Sequence, residues 1–527
     1  MNSMSYTQET TTEESVAEIS VRSANLASYI VMSKFISFII AGVAFVIVVR
    51  FLGPTTYGIY VLATAVVGVF GSVGDLGVST AFNKLMAENR LGKKRVLEEI
   101  LANGFTILLI AGIILTAIAI VVSSFLASSV YHNQSFAAPF YLISFSIMVS
   151  MLFGAGYSAL IGLGKGTNAA LPVIIEAIFQ YGISIGLVVL GFGVFAPILG
   201  LIFGLFAGFV ACMFIMRVKN RIGFARPSIS GMKKIFNFGL PIVISNVLGT
   251  VVNNVAILVL GLFVVAAVVG NIGIAQNANA LFSLVTVSIS VSLIQLFSTV
   301  LKSNKAKHRV GDFFSNSVYY AFVFVAPLIF FVTILAKPVS YVAFGGVYNL
   351  APLYIRFTSM GLLLGLAGAY ATSLIISIGN TKQVLKYNAI IVAVQLLLVF
   401  ALIPILKGMG FMLTFFVITP VLMDVLFVRY AIKKLKVGLK LGRLFRVLTA
   451  NILGTLPLYL LIIVFGGNYV PLLIVGVITT LLTYPLALSA LKGIERKDMK
   501  NLRKFSSGVP VVSSILGLLL DYTALLL

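Results

Sequence analysis

Tryptophan is absent from this 527-residue chain, cysteine occurs once and histidine twice. A lone cysteine, Cys212, excludes a disulfide framework and a cysteine-held metal. His132 and His308 stand apart, with no second ligand at metal-binding spacing. Acidic residues are scarce, 14 Asp and Glu against 37 Lys and Arg, for a formal net charge of +23. Loop-borne carboxylate pairs and Ser/His/Asp arrangements are missing. Gly162-Leu-Gly-Lys-Gly-Thr167 looks like a phosphate loop but lacks the Ser or Thr that must follow its lysine, so it reads as a turn. These absences argue against an enzyme, a cofactor and a bound metal.

What remains is apolar. Hydrophobic residues make up 60% of the chain and charged residues 10%, with a mean hydropathy of +1.12, which is too apolar for a water-soluble protein. Runs of about 20 apolar residues recur throughout, each long enough to cross a bilayer core of about 30 Å. The expected fold class is an all-α polytopic membrane protein with about fourteen transmembrane helices. Residues 1–26 carry Glu9, Glu13, Glu14 and Glu18 and no basic start, unlike a cleavable signal, so they read as a polar cytoplasmic tail.

Charge distribution gives an orientation. With the N-terminus inside, all of the 37 Lys and Arg except Lys34, Arg50, Lys337, Arg356 and Lys407 fall on inward-facing segments. This fits the positive-inside rule, with both termini cytoplasmic in the cell membrane. It also accounts for the positive charge without nucleic acid. The outward loops are too short to house a folded domain.

Sliding the chain by about 213–215 residues reveals a weak internal repeat. Ala138-Pro139-Phe-Tyr141 falls on Ala351-Pro352-Leu-Tyr354, Gly164-Lys165 on Gly379-Asn380, and Gln180 on Gln395. The turn Gly191–Ala196 falls on Leu406–Phe411. Six spans separate the copies, so both enter from the same side as parallel repeats. The expected organisation is an N-lobe at 27–216, a basic linker at 217–237 and a C-lobe at 238–430. A basic loop at 431–446, two extra spans at 447–491 and a basic tail at 492–527 follow. Val509–Leu520 reads as a surface helix, with a fifteenth span as the alternative.

One segment carries a recognisable pattern. Arg50-Phe-Leu-Gly-Pro-Thr-Thr-Tyr-Gly58 closes one span at a Gly-Pro turn and opens the next. Asp75-Leu-Gly-Val-Ser-Thr-Ala-Phe-Asn-Lys84 then places a carboxylate inside that next span, at 57–82. Over about residues 25–95 this resembles the polysaccharide-transport, Wzx-type oligosaccharide flippase branch of the multidrug/oligosaccharidyl-lipid/polysaccharide exporter superfamily. The motif residues are Gly53, Pro54, Tyr57, Gly58, Asp75 and Gly77. The resemblance implies a MATE-like fold and a polyprenyl-(pyro)phosphate-linked glycan as substrate. It also implies membrane lipid as a partner and proximity to the glycosyltransferases that build that substrate.

Ionisable groups inside a membrane are costly and mark functional positions or pairs. Lys34 and Asp75 fall at similar depths in adjacent spans. They read either as an ion pair or as a cationic anchor for an anionic headgroup, tuned by Asp75. Arg356 either snorkels outward or offers a second phosphate station. Glu176, one turn from Gln180, reads as a neutral hydrogen-bonded carboxyl or a proton-coupling group. Asp424, five residues before Arg429, reads as a local salt bridge or an interfacial position, and as a coupling candidate beside Glu176. In span seven, after Gly239-Leu-Pro241, the residues Ser245, Asn246, Thr250, Asn253 and Asn254 gather on one face. That face belongs either to helix–helix hydrogen bonding or to a cavity wall that binds sugar hydroxyls. Asn271, Gln276, Asn277 and Asn279 extend the polar character. The expected function is a lipid-linked oligosaccharide flippase working by alternating access, with a cation-coupled multidrug antiporter of the same superfamily as the alternative. A membrane glycosyltransferase is disfavoured by short loops poor in carboxylates.

Overall fold

The computed structural model describes residues 16–90, 92–164, 166–302, 310–435, 438–495 and 498. Side chains at 16–28, 30–31, 240–248, 280–289, 291–292, 295–296, 299–302 and 435 fall outside the described set, as do residues 501–527 with their expected surface helix. Every regular element among the described residues is helical. Helix α1 spans Val16–Gly74, α2 Val78–Asn89, α3 Lys94–Phe125, α4 Ala137–Gly162, α5 Gly166–Val189 and α6 Phe195–Phe214. The chain continues through α7 Ile229–Phe263, α8 Ala266–Lys302, α9 Val310–Ile334, α10 Ala336–Phe344, α11 Ala351–Leu364 and α12 Leu366–Ser377. It ends in α13 Thr381–Leu406, α14 Gly408–Leu413, α15 Thr419–Leu435, α16 Leu441–Thr455, α17 Pro457–Phe465 and α18 Tyr469–Ala490.

Among the described residues ten helices are long and apolar enough to cross a membrane, or eleven if the bent pair α11–α12 is one span. About fourteen are expected from sequence. The difference lies at α1, α7, α8 and the bent pair. The apolar stretch Met32–Gly74 counts once at 43 residues, yet at 1.5 Å per residue it is about twice as long as a bilayer core is thick. Gly53 interrupts it with φ 70° and ψ 170°, and Pro54 follows, with no N–H to continue the ladder. Large apolar side chains face outward along these helices, with Ile405 76% and Val464 77% exposed. Water would not tolerate such belts, and lipid does.

The chain divides into two compact units, Met1–Val48 with Val67–Val247, and Val49–Val66 with Leu248–Leu527. In the first unit, Phe82, Met86, Leu101, Phe105, Ile147 and Met151 form a buried core between α2, α3 and α4. Phe82 and Phe105 meet edge to face at 5.4 Å. Gly200, Gly204 and Gly208 put a small-residue stripe of α6 against Ser184, Gln180 and Glu176 of α5. In lipid such close backbone approach, rather than the hydrophobic effect, drives helix pairing.

In the second unit Phe297, Phe314, Tyr370, Leu374 and Phe427 join α8, α9, α12 and α15. Helices α16 and α18 pack on α9 through Tyr319, Val323, Val447, Ala450 and Tyr484. The Tyr484 hydroxyl donates to the Val323 carbonyl at 2.8 Å.

One pair of turns aligned by the expected repeat shares a backbone conformation. Gly164 and Gly379 both take left-handed φ, at 73° and 81°, just past the ends of α4 and α12. Lys407 takes φ 53°, so a lysine occupies a turn position that favours glycine. Gln395 donates to Thr419 Oγ1 at 3.2 Å between α13 and α15. The equivalent Gln180 of the first unit packs against Gly204.

Candidate functional site

The motif residues turn out to be docking residues. Gly58 lies so close to α8 that a Cβ there would overlap the Ala266 carbonyl, and Gly270 approaches the Pro54 carbonyl in the same way. Tyr57 is buried between them, and its hydroxyl accepts from Asn277 Nδ2 at 3.1 Å. Gly-Pro therefore ends the first crossing, and Tyr57 and Gly58 seat the start of the second on α8.

Asp75 departs from expectation. It does not sit within a helix but opens a three-residue break, Asp75–Gly77, between α1 and α2. Leu76 and Gly77 take φ of 46° and 74°. Counted from Pro54, Asp75 lies about 30 Å along the helix, at its far end rather than midway. Its Oδ1 accepts from Ser79 Oγ at 2.5 Å and from the Ser79 amide at 3.3 Å, satisfying a free N–H in the first turn of α2. Gly77 passes against the backbone of Gly239 at the start of span seven, an approach that only glycine at both positions permits.

Among the described residues Lys34 therefore has no carboxylate partner. It is exposed on α1, and among the described residues it makes no hydrogen bond or ion pair. The expected Lys34–Asp75 bridge does not form there, because the Asp75 carboxylate is turned to its own helix terminus.

Asp424 follows the same logic. The expected bridge to Arg429 does not form among the described residues. Its Oδ1 instead accepts from the Gly368 amide at 2.5 Å, one turn after Gly365, where α11 and α12 meet at a 41° bend. A break in a span exposes backbone amides that lipid cannot satisfy, and a neighbouring carboxylate supplies the missing acceptor.

Glu176 is half-buried on α5 beside Gly208 of α6, with no hydrogen bond among the described residues. Arg356 is exposed, and its Nε donates to the Thr333 carbonyl at 3.2 Å. Asn253 Oδ1 accepts from Gln276 Nε2 at 3.3 Å, linking α7 to α8, while the Asn246 side chain lies outside the described residues. Asn271 caps α11, accepting from the amides of Leu350 at 3.1 Å and Ala351 at 2.8 Å. Asn279 Oδ1 is buried without a partner among the described residues. Lys34 and Glu176 belong to the first unit and Arg356 and Asn253 to the second, while Asp75 and Asp424 become helix caps.

One polar cluster escaped the sequence reading. Arg443 of α16 pairs with Glu495 and, at 3.8 Å, with Asp498. Tyr320 donates to Asp498 Oδ1 at 3.0 Å and Tyr319 to the Gly493 carbonyl. This binds the segment after α18 to α9 and α16. Only the Glu495–Asp498 spacing hinted at it.

Comparison with solved structures defines the class. The lipid II flippase MurJ in an inward closed conformation superposes with a TM-score of 0.69 at 17% identity, covering 88% of this chain and 98% of that one. An inward-facing multidrug resistance MATE family transporter of the MOP superfamily gives 0.63 at 17% identity, covering 75% and 95%. This is a multi-span membrane protein with the MATE- and MurJ-like fold. The family model described as "Polysaccharide biosynthesis protein" matches residues 47–352, and the chain belongs to that family. A comparison with curated proteins finds no match.

Proposed function

We propose that this protein carries a lipid-linked glycan, held by a polyprenyl (pyro)phosphate, from the cytoplasmic to the outer leaflet of the cell membrane by alternating access. A bare sugar hydroxyl entering an alkane-like phase costs about 4–8 kcal/mol, so a glycan headgroup needs a polar route while its lipid tail stays in the bilayer. Family membership supports the substrate class. Lys34 is the observation that carries the reading. An exposed ammonium on an apolar helix, with no carboxylate partner among the described residues, is free to meet an anionic headgroup. The amides of Asn253 and Gln276 offer hydrogen bonds suited to sugar hydroxyls, and Arg356 provides a second cationic position. Glycosyltransferases of the same pathway are the proposed partners. Transport, rather than bond chemistry, is the proposed activity.

The test is the leaflet distribution of lipid-linked glycan in cells with the wild type, a deletion or Lys34→Ala. Cytoplasmic accumulation in both the deletion and Lys34→Ala supports the reading. Normal distribution in the deletion strain overturns it. Orientation is tested separately. Cys212 is fully buried, so Lys337→Cys should react with a membrane-impermeant thiol reagent in intact cells; reaction only after permeabilisation would reverse the topology.

A second reading, a cation-coupled multidrug antiporter, draws on Glu176, a half-buried carboxylate without a hydrogen bond among the described residues. It predicts that deletion raises drug sensitivity and leaves surface glycan intact.

A further inference from the structure

One end of the second unit has an unusual charge. Arg50 before the Gly53 break, Lys337 in α10, Arg356 in α11 and Lys407 at the α13–α14 turn are all exposed there. The connecting stretches 49–56, 262–272, 333–356, 404–412 and 464–472 hold no Asp or Glu. Contacts tie these stretches together: the Tyr348 hydroxyl donates to the Val49 carbonyl at 2.8 Å, Asn271 caps the start of α11, Gly408 packs against Tyr354 and Val268, and Tyr341 meets Tyr469 at 4.8 Å. Four cations therefore share one end of the second unit, with no Asp or Glu in the stretches that carry them.

Arg50 is the member with a defined setting. Tyr348 fixes the peptide just before it, and the packing of Gly58 on α8 fixes the helix just after it. Its Nε lies beside Gly345, within 3.8 Å of where a Cβ would stand. Among the described residues Arg50 makes no hydrogen bond or ion pair, so its planar donors are uncommitted. A guanidinium of this kind suits two oxygens of a phosphate group, and surrounding like charges raise the local concentration of anions.

The geometry points to an anion-binding site at Arg50, on the Gly345–Tyr348 side of the second unit, that takes a phosphate or pyrophosphate group. Lys337, Arg356 and Lys407 supply the attracting field. The carrier is a polyprenyl phosphate in the adjoining leaflet, and this choice of carrier rests on the proposed transport reading. Arg50 belongs to the second unit and Lys34 to the first.

The experiment uses the full chain in phosphatidylcholine nanodiscs with Lys34→Ala as background, so the headgroup position of the transport reading is silent. Polyprenyl phosphate and inorganic pyrophosphate are titrated separately. Polyprenyl phosphate binding should weaken about tenfold or more in Arg50→Gln, since a charge-assisted hydrogen bond is lost. Arg50→Lys, which keeps the charge and loses the fork, should fall between. Lys492→Gln, placed after α18, should bind like the background. Binding of pyrophosphate as tight as that of the lipid would support the anion site and assign its ligand to soluble phosphate. Unchanged affinity in a folded Arg50→Gln protein would overturn the site. Because no transport is measured, a failed flipping assay and a failed binding assay remain distinguishable.

Discussion

Gly58→Ala isolates what the sequence motif does. A methyl at this position would overlap the carbonyl of Ala266 and come within 3.0 Å of the Gly270 amide. Both neighbours are helical backbone, so no rotamer change relieves the clash and α8 must move away. Overpacking of this kind destabilises by about 1–3 kcal/mol. Replacing glycine by alanine inside a helix favours the folded state by about 0.8–1.0 kcal/mol, so the net loss falls between about 0 and 2 kcal/mol, toward the upper end because both obstructing groups are backbone. Gly270→Ala attacks the same seam from the other side, because its methyl would meet the Pro54 carbonyl and come within 3.0 Å of the Gly58 amide. Once one substitution has parted the helices, the second finds room. The double variant should therefore lose less than the sum of the singles, with a coupling of about 0.5–3 kcal/mol. Thermal or denaturant unfolding of purified protein, read by loss of helical signal, measures all three. A Gly58→Ala protein as stable as wild type, or strictly additive losses, would refute the close-approach argument.

The other predictions concern polar groups and turns. Asp75→Ala should lose about 1 kcal/mol of stability by uncapping α2, while Asp75→Asn, which keeps an acceptor, should lose less. A larger loss in Asp75→Asn would indicate that the charge itself has a partner. Lys407→Gly should stabilise by a few tenths to about 1 kcal/mol, since glycine adopts the positive φ without a Cβ clash; a melting temperature below wild type would contradict this. Arg443→Ala strands Glu495 and the buried Asp498, so a loss of about 2–4 kcal/mol is expected. Protease sensitivity of the segment after α18 should rise with it, and an unchanged digestion pattern would dismiss the cluster as a fastening point.

Much of the fold is legible along the chain because span length and apolarity are local properties. The Gly-Pro break and the turn glycines at 164 and 379 appear in sequence as they do in the backbone. Legibility fails where a polar group has a choice of partners. Lys34 and Asp75 sit at matching depths on a simple two-span drawing, but the chain breaks at Leu76 and Gly77 and turns the carboxylate toward Ser79. Asp424 has Arg429 five residues away, yet it serves Gly368 on another helix. Neither outcome could be read locally, because each depends on where a helix is interrupted and on which neighbour exposes free amides there.

By itself the sequence determined that this protein is a multi-span helical membrane protein. Apolar runs of bilayer length leave the backbone no other way to satisfy its hydrogen bonds. Tertiary structure alone decided that Gly58 and Gly270 are a seam, that Asp75 and Asp424 are caps, and that Arg443 fastens the segment after α18. It also decided that Lys34 and Arg50 are left without carboxylates among the described residues. The physical reason is that a hydrogen bond or ion pair needs two groups within about 3–4 Å, and helices far apart in the chain meet at that distance only after packing has chosen their faces.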